Sequence, residues 1–118
     1  MYTFHNTNSL GLFKDDCVIR SISCATHRSW DDVYDELCHL AKRNGTIMSD
    51  REFVIEYLDN LYPRVYVDDI NVGDVADLYR DCIVLITMRN HITCAKYGII
   101  YDTFNPSDEQ AEFCWIVQ

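Results

Sequence analysis

Glycine and proline are scarce, four and two in 118 residues. With so few breakers there is no Gly- or Pro-rich linker, and no repeat or low-complexity tract divides the chain. One domain spanning 1–118 is the expectation. Basic residues are also few: 10 Lys and Arg against 19 Asp and Glu leave a net charge of −9. A surface of that sign repels phosphates, so no nucleic-acid partner is expected, and a basic protein or peptide is the more compatible one. No apolar run reaches the ~18–20 residues that span a bilayer, so no membrane partner is expected either. The opening MYTFHNTNSLGLFKDD has neither a basic leader nor an apolar stretch, and a cytoplasmic location is the corresponding expectation. CxxC pairs are missing too. The six cysteines, at 17, 24, 38, 82, 94 and 114, read mostly as free, buried thiols rather than disulfides. Cys24-x-x-His27 and the adjacent Cys38-His39 do not supply four converging ligands, so neither a metal nor another cofactor is expected.

Apolar material is plentiful. At 48% hydrophobic and 13% aromatic, the chain can fill a core and is not disordered. Residues 1–14 read as irregular. A helix is predicted over about 16–27, with Val18, Ile22 and Ala25 on one side. Ser29 with Asp32 suggests a capping box for a second helix, whose apolar positions are Trp30, Val33, Leu37, Leu40 and Ala41 and whose stop is Gly45. Ser49 with Glu52 repeats the pattern for a third, carrying Phe53, Tyr57, Leu58 and Leu61 to Pro63. Val65–Val67 then reads as a short strand and Asp74–Tyr79 as a helical turn. Cys82–Met88 reads as a central strand, buried on both faces. His91–Lys96 and Ile99–Phe104 flank the candidate turn Tyr97-Gly98, and Phe113–Val117 is a last strand. Helices first and strands after give an α+β class, with N-terminal helices packed on a C-terminal antiparallel sheet.

Three residues in this layout have the chemistry of a cysteine hydrolase. Cys17 falls in the first turn of the first helix, where unpaired N–H groups and the helix dipole favour a thiolate. Asp15 or Asp16 is placed to cap that helix. If Tyr97-Gly98 is a two-residue turn, Lys96 opposes Ile99, Thr93 opposes Asp102, and His91 and Asp102 become diagonal neighbours on one sheet face. A three-residue turn would reverse those faces. In the first register Asp102 can orient the His91 imidazole, and His91 can serve Cys17 as general base. Arg20 reads either as an ion-pair partner for one of the many acids or as an anchor for a carboxylate near the site.

The segments DCVIRSIS…SWDDVYDELC, NVGDVADLY and RNHITCAKYGIIYDTFNPS…FCWIV resemble a family of small phage and bacterial proteins similar to papain-like cysteine peptidases, in particular the compact group related to bacteriocin-processing peptidases. The resemblance implies a papain-like fold, Cys17 as nucleophile, His91 as general base and Asp102 as orienting residue. It also implies a phage-encoded protein working in the host cytoplasm. Papain-like enzymes commonly donate to the oxyanion from a Gln several residues before the nucleophile. Here Gly11 stands six residues before Cys17, and no Gln occurs before Gln110. Asn8, Asn6 and Lys14 are the substitute candidates, together with the backbone N–H of Cys17.

Two functions follow as expectations. The first is a thiol-dependent hydrolase, a cysteine protease cutting a peptide or isopeptide bond, with a host protein among the candidate substrates. The second is a catalytically weak or inactive papain-like fold that binds and inhibits a host factor such as a defence component. The sequence does not indicate an oligomeric state.

Overall fold

The structure, a computed structural model, describes residues 1–118. In chain order it comprises β1 (Tyr2–Phe4), α1 (Cys17–Thr26), α2 (Trp30–Arg43), α3 (Arg51–Asp59), β2 (Arg64–Tyr66), α4 (Val72–Leu78), β3 (Ile83–Met88), β4 (His91–Lys96), β5 (Ile99–Asp102) and β6 (Ala111–Ile116). The six strands form one sheet in the order β1-β5-β4-β3-β6-β2. The fold is α+β, as the order of helical and strand-like segments predicts. No helix is long and apolar enough to cross a membrane.

The sheet is mixed rather than purely antiparallel. β1 pairs in parallel with β5, Tyr2 opposite Ile100 and Phe4 opposite Asp102. The expectation of an irregular 1–14 is therefore corrected at its start. Three residues give too short a pattern to read, and the strand exists because β5 offers an open edge. The rest of that segment is irregular, as expected.

Local chemistry explains the helix boundaries. The Ser29 side chain accepts from the Asp32 N–H at the start of α2, and Gly45 follows its end in the left-handed region at φ 70°. At α3 the cap is Asp50, accepting from the Phe53 N–H, rather than Ser49. Asp is as good a cap as Ser, and the register moved by one residue. α4 begins two residues earlier than the expected turn, because Asn71 caps it by accepting from the Asp74 N–H.

The apolar residues form two clusters, one on each side of the sheet. α1, α2 and α3 bring Ile22, Leu37 and Leu58 against Leu85, Cys94 and Trp115. On the other side α4 places Val72, Val75 and Ala76 against Val84, Ile86 and Ile100. β3 runs down the middle with all six residues buried, alternating between the two clusters. The N-terminal helices thus pack on one face, as expected. The short α4, inserted between strands, covers the face that the N-terminal helices leave open.

Candidate active site

Cys17 is the first residue of α1. His91 is the first residue of β4 and Asp102 the last of β5. These three termini meet at one end of the sheet. The β4–β5 register is Lys96 with Ile99, Ala95 with Ile100 and Cys94 with Tyr101, which leads on to Thr93 opposite Asp102. That is the register of a two-residue turn. Tyr97 and Gly98 both have positive φ, 52° and 85°, as a tight hairpin of matching twist requires. An added residue here would have moved Asp102 to the wrong face.

The geometry around the histidine is specific. His91 Nε2 lies 2.8 Å from Asp102 Oδ2, leaving Nδ1 as the ring nitrogen open to another partner. The Cys17 thiol, the His91 ring and Ile92 share the wall of one hollow. The His91 ring packs on Phe104, with ring centroids 4.7 Å apart. Burial alone would raise the Cys17 pKa. The hydrogen bonds from His91 and Ile92 and the charges of His91 and Arg20 outweigh it, and the thiol is held below its ordinary value. His91 moves the other way. Burial lowers it, but hydrogen bonds to Asp102 and Cys17 push it up to about 9. A lowered thiol beside a raised imidazole is the signature of a thiolate–imidazolium pair.

Asp102 is 2% exposed and fully engaged. Oδ1 accepts from Arg20 Nη1 at 2.9 Å and from the Thr103 N–H at 2.7 Å. Oδ2 accepts from Thr93 Oγ1 at 2.6 Å and faces His91. Burial pushes its pKa up, but the His91 and Thr93 bonds prevail and hold it down. A carboxylate this deeply buried is tolerable because each oxygen has two partners.

Arg20 joins both readings considered for it. Its Nε donates to Asp16 Oδ1 at 2.7 Å and its Nη1 to Asp102, so the ion pair is itself the anchor of the orienting carboxylate. Asp16 is the N-cap residue of α1, yet its side chain makes no capping bond. Instead it accepts from Arg20, Asn8 Nδ2 and Trp30 Nε1. The expectation of a capping aspartate is corrected accordingly. With no side chain over them, the first-turn N–H groups beside the thiol stay open, since the earliest backbone bond into the helix runs from the Arg20 N–H to the Asp16 carbonyl.

The side-chain oxyanion candidates are placed differently. Asn8 Nδ2 is spent on Asp16, and Asn8 Oδ1 accepts from the Leu10 and Leu12 N–H groups. Asn6 Nδ2 donates to the Leu12 carbonyl, and Asn6 Oδ1 accepts from the Asn8 N–H. Both amides tie down the 6–16 loop, each through one N–H, and neither lines a hollow at Cys17. Lys14 is exposed. Of the donors considered, the backbone N–H of Cys17 is the one standing at the thiol without a partner.

Sequence reasoning passed over three contributors. Thr93 was placed opposite Asp102 but given no role. Trp30 was read as a core aromatic, although its indole N–H holds Asp16. Asn8 was read as an oxyanion donor rather than as a buried loop anchor. A polar residue with period-2 spacing from His91 was the available signal for Thr93. Nothing in the sequence announces the other two.

Two hollows flank the thiol. One, about 110 Å³, lies between α1, α3 and the sheet and is lined by Cys17, His91, Val18, Val54, Ile55 and Trp115, with Arg51 among its walls. The other, about 350 Å³, lies toward the start of α2. No protein-family model matches this chain, and neither the curated proteins nor the solved structures give a match.

Proposed function

We propose that this chain is a thiol-dependent hydrolase of papain-like architecture that cleaves a peptide or isopeptide bond. One observation carries the reading: a thiol at a helix N-terminus shares a hollow with an imidazole, one of whose nitrogens is held by a buried carboxylate. The thiolate of Cys17 attacks the carbonyl carbon, a C–S bond forms, and the carbonyl electron pair moves onto oxygen. The open first-turn N–H groups of α1 stabilise that oxyanion. As the tetrahedral centre collapses, the C–N bond breaks and the His91 imidazolium gives its proton to the departing amine. Neutral His91 then takes a proton from water, the hydroxide attacks the thioester, and the thiolate leaves with the imidazolium restored. Asp102 keeps the ring oriented and stabilises its charged form.

The test is alkylation of native protein by iodoacetamide, read thiol by thiol by mass spectrometry. Cys17 should label faster than the other five cysteines, and His91→Ala should remove that advantage. Labelling of Cys17 at the pace of the rest, indifferent to His91, would end the hydrolase reading.

One observation favours the second reading, a phage protein of this architecture that binds and inhibits a host factor without cutting it. None of Asn6, Asn8 and Lys14 lines a hollow at Cys17, so none of these candidates stands there as the second oxyanion donor. Loss of one such donor typically costs ~10²–10³ in rate. A host protein bound and inhibited equally by wild type and Cys17→Ala supports this alternative. A host protein cut by wild type alone refutes it.

A further inference from the structure

The two hollows beside Cys17 differ in chemistry as well as size. The smaller is walled mainly by apolar side chains, Val18, Val54, Ile55 and Trp115 among them, with Arg51 also in its wall. The larger contains no Lys or Arg and is walled by Cys17, Asp15, Trp30, Tyr34, Met48 and Asn90, among others. Trp30 and Tyr34, one turn apart on α2, stack with centroids 5.1 Å apart and planes 28° from parallel. Tyr34 is exposed, and Met48 adds a polarizable wall. Both carboxylates of the cleft belong to the segment just before the nucleophile. Asp16 is neutralised by Arg20, whereas Asp15 is exposed and forms no ion pair. One uncompensated negative charge beside an aromatic pair is a setting for a cation that can lay its stem on the rings.

We propose that this cleft binds a cationic side chain, the Lys or Arg of a peptide substrate, next to the bond that Cys17 attacks. The assignment rests on the hydrolase reading, because the cleft matters to catalysis only through its shared wall at Cys17. Arg51 in the smaller hollow is paired with Glu112, so the charge contrast rests on Asp15, which a cation seated on the Trp30–Tyr34 side meets. The net charge of −9 draws basic peptides to the molecule as a whole, and the cleft selects where the charge is seated.

The experiment uses two pairs of thiol-directed probes, so that a side chain on either side of the scissile bond is sampled. Acetyl-lysine chloromethyl ketone is set against its norleucine counterpart, and bromoacetyl-lysine amide against bromoacetyl-norleucine amide. The rate of Cys17 labelling is measured for each. In one pair or the other the lysine probe should react about tenfold faster than its neutral isostere, the size expected of one exposed charge pair plus one cation–π contact. Asp15→Asn and Tyr34→Leu should each bring the ratio close to one. Asp77→Asn, which removes an equal charge from the exposed side of α4, should leave it unchanged. Equal rates in both pairs would overturn the assignment. A preference that survives Asp15→Asn and Tyr34→Leu, or that Asp77→Asn weakens as much, would overturn it too, because the effect would then belong to overall charge. Iodoacetamide labelling that ignores His91 would sink the hydrolase reading, while the probe ratios still report on the cleft.

Discussion

Cys114 and Cys17, in two different regions of the molecule, are thiols of opposite character. Cys114, in the cluster under α4, is surrounded by apolar side chains. Burial, with a small contribution from nearby Cys82, pushes its thiol up to about 11. Cys17, at the end of the sheet where α1 begins, is also substantially buried, yet its thiol is held below the ordinary value by His91, the Ile92 N–H and Arg20. Burial pushes both thiols the same way, and only Cys17 has donors and positive charges arranged to reverse it. The polarity of the two regions follows the same division. The α4 cluster is apolar throughout, whereas Asn8, Arg20, Thr93 and Asp102 are buried polar residues gathered around the α1 end. One region supplies adhesion; the other uses part of it to hold charged groups out of water.

The comparison can be broken most severely at the proposed nucleophile. Cys17→Ala should lower peptide hydrolysis by about 10³-fold or more while leaving the fold intact, and Cys114→Ala should leave turnover near wild type. A steady-state assay of both variants alongside circular dichroism decides it. Next in size is the buried ion pair. Asp102→Asn strips Arg20 of one partner and His91 of its orienting charge, and it should cost about 3 kcal/mol by urea denaturation, since Arg20 retains Asp16. A loss below about 1 kcal/mol would mean that the network contributes little to stability.

The pH dependence sharpens the contrast between thiols. Protonating the Cys17 thiolate removes the nucleophile, so hydrolysis should fall on the acid side, with its limb below the ordinary thiol pKa of ~8.5. Deprotonating the imidazolium removes the general acid, so hydrolysis should fall again as pH rises through about 9. Alkylation needs only the thiolate and should therefore plateau rather than fall above that point. His91→Ala should move the onset of alkylation upward. A single limb near 8.5 for both wild type and variant would contradict the ion pair. The smallest effect is expected under α4. Ile86→Val should cost about 0.5–1.5 kcal/mol and leave the Cys17 labelling rate unchanged.

Much of the architecture was legible because its signals are local. The apolar spacing of Val33, Leu37 and Ala41 with the Ser29 cap gave α2, and the β-branched run to Met88 gave the central strand. Tyr97-Gly98 gave the hairpin, and with it the relation of His91 to Asp102, because period-2 geometry converts a turn length into a face. Three features were not legible. β1 exists through its partner, a parallel edge 98 residues away in sequence, Tyr2 opposite Ile100. Asp16 carries the composition of a cap but lies within reach of Arg20, Asn8 and Trp30, and three donors outcompete one backbone N–H. The Asn8 amide is drawn into the same network.

The sequence by itself determined an acidic α+β chain with a thiol placed at a helix start and a histidine and an aspartate placed on adjoining strands, since each of these follows from spacing within a few residues. Tertiary structure alone decided that the helix start would meet the strand ends, that Arg20 would bridge Asp16 to Asp102, and that Asp15 would be left unpaired beside Trp30 and Tyr34. Those outcomes depend on which donors lie close enough to compete for a given carboxylate once the helices have docked, a question of distance in space that no interval along the chain can encode.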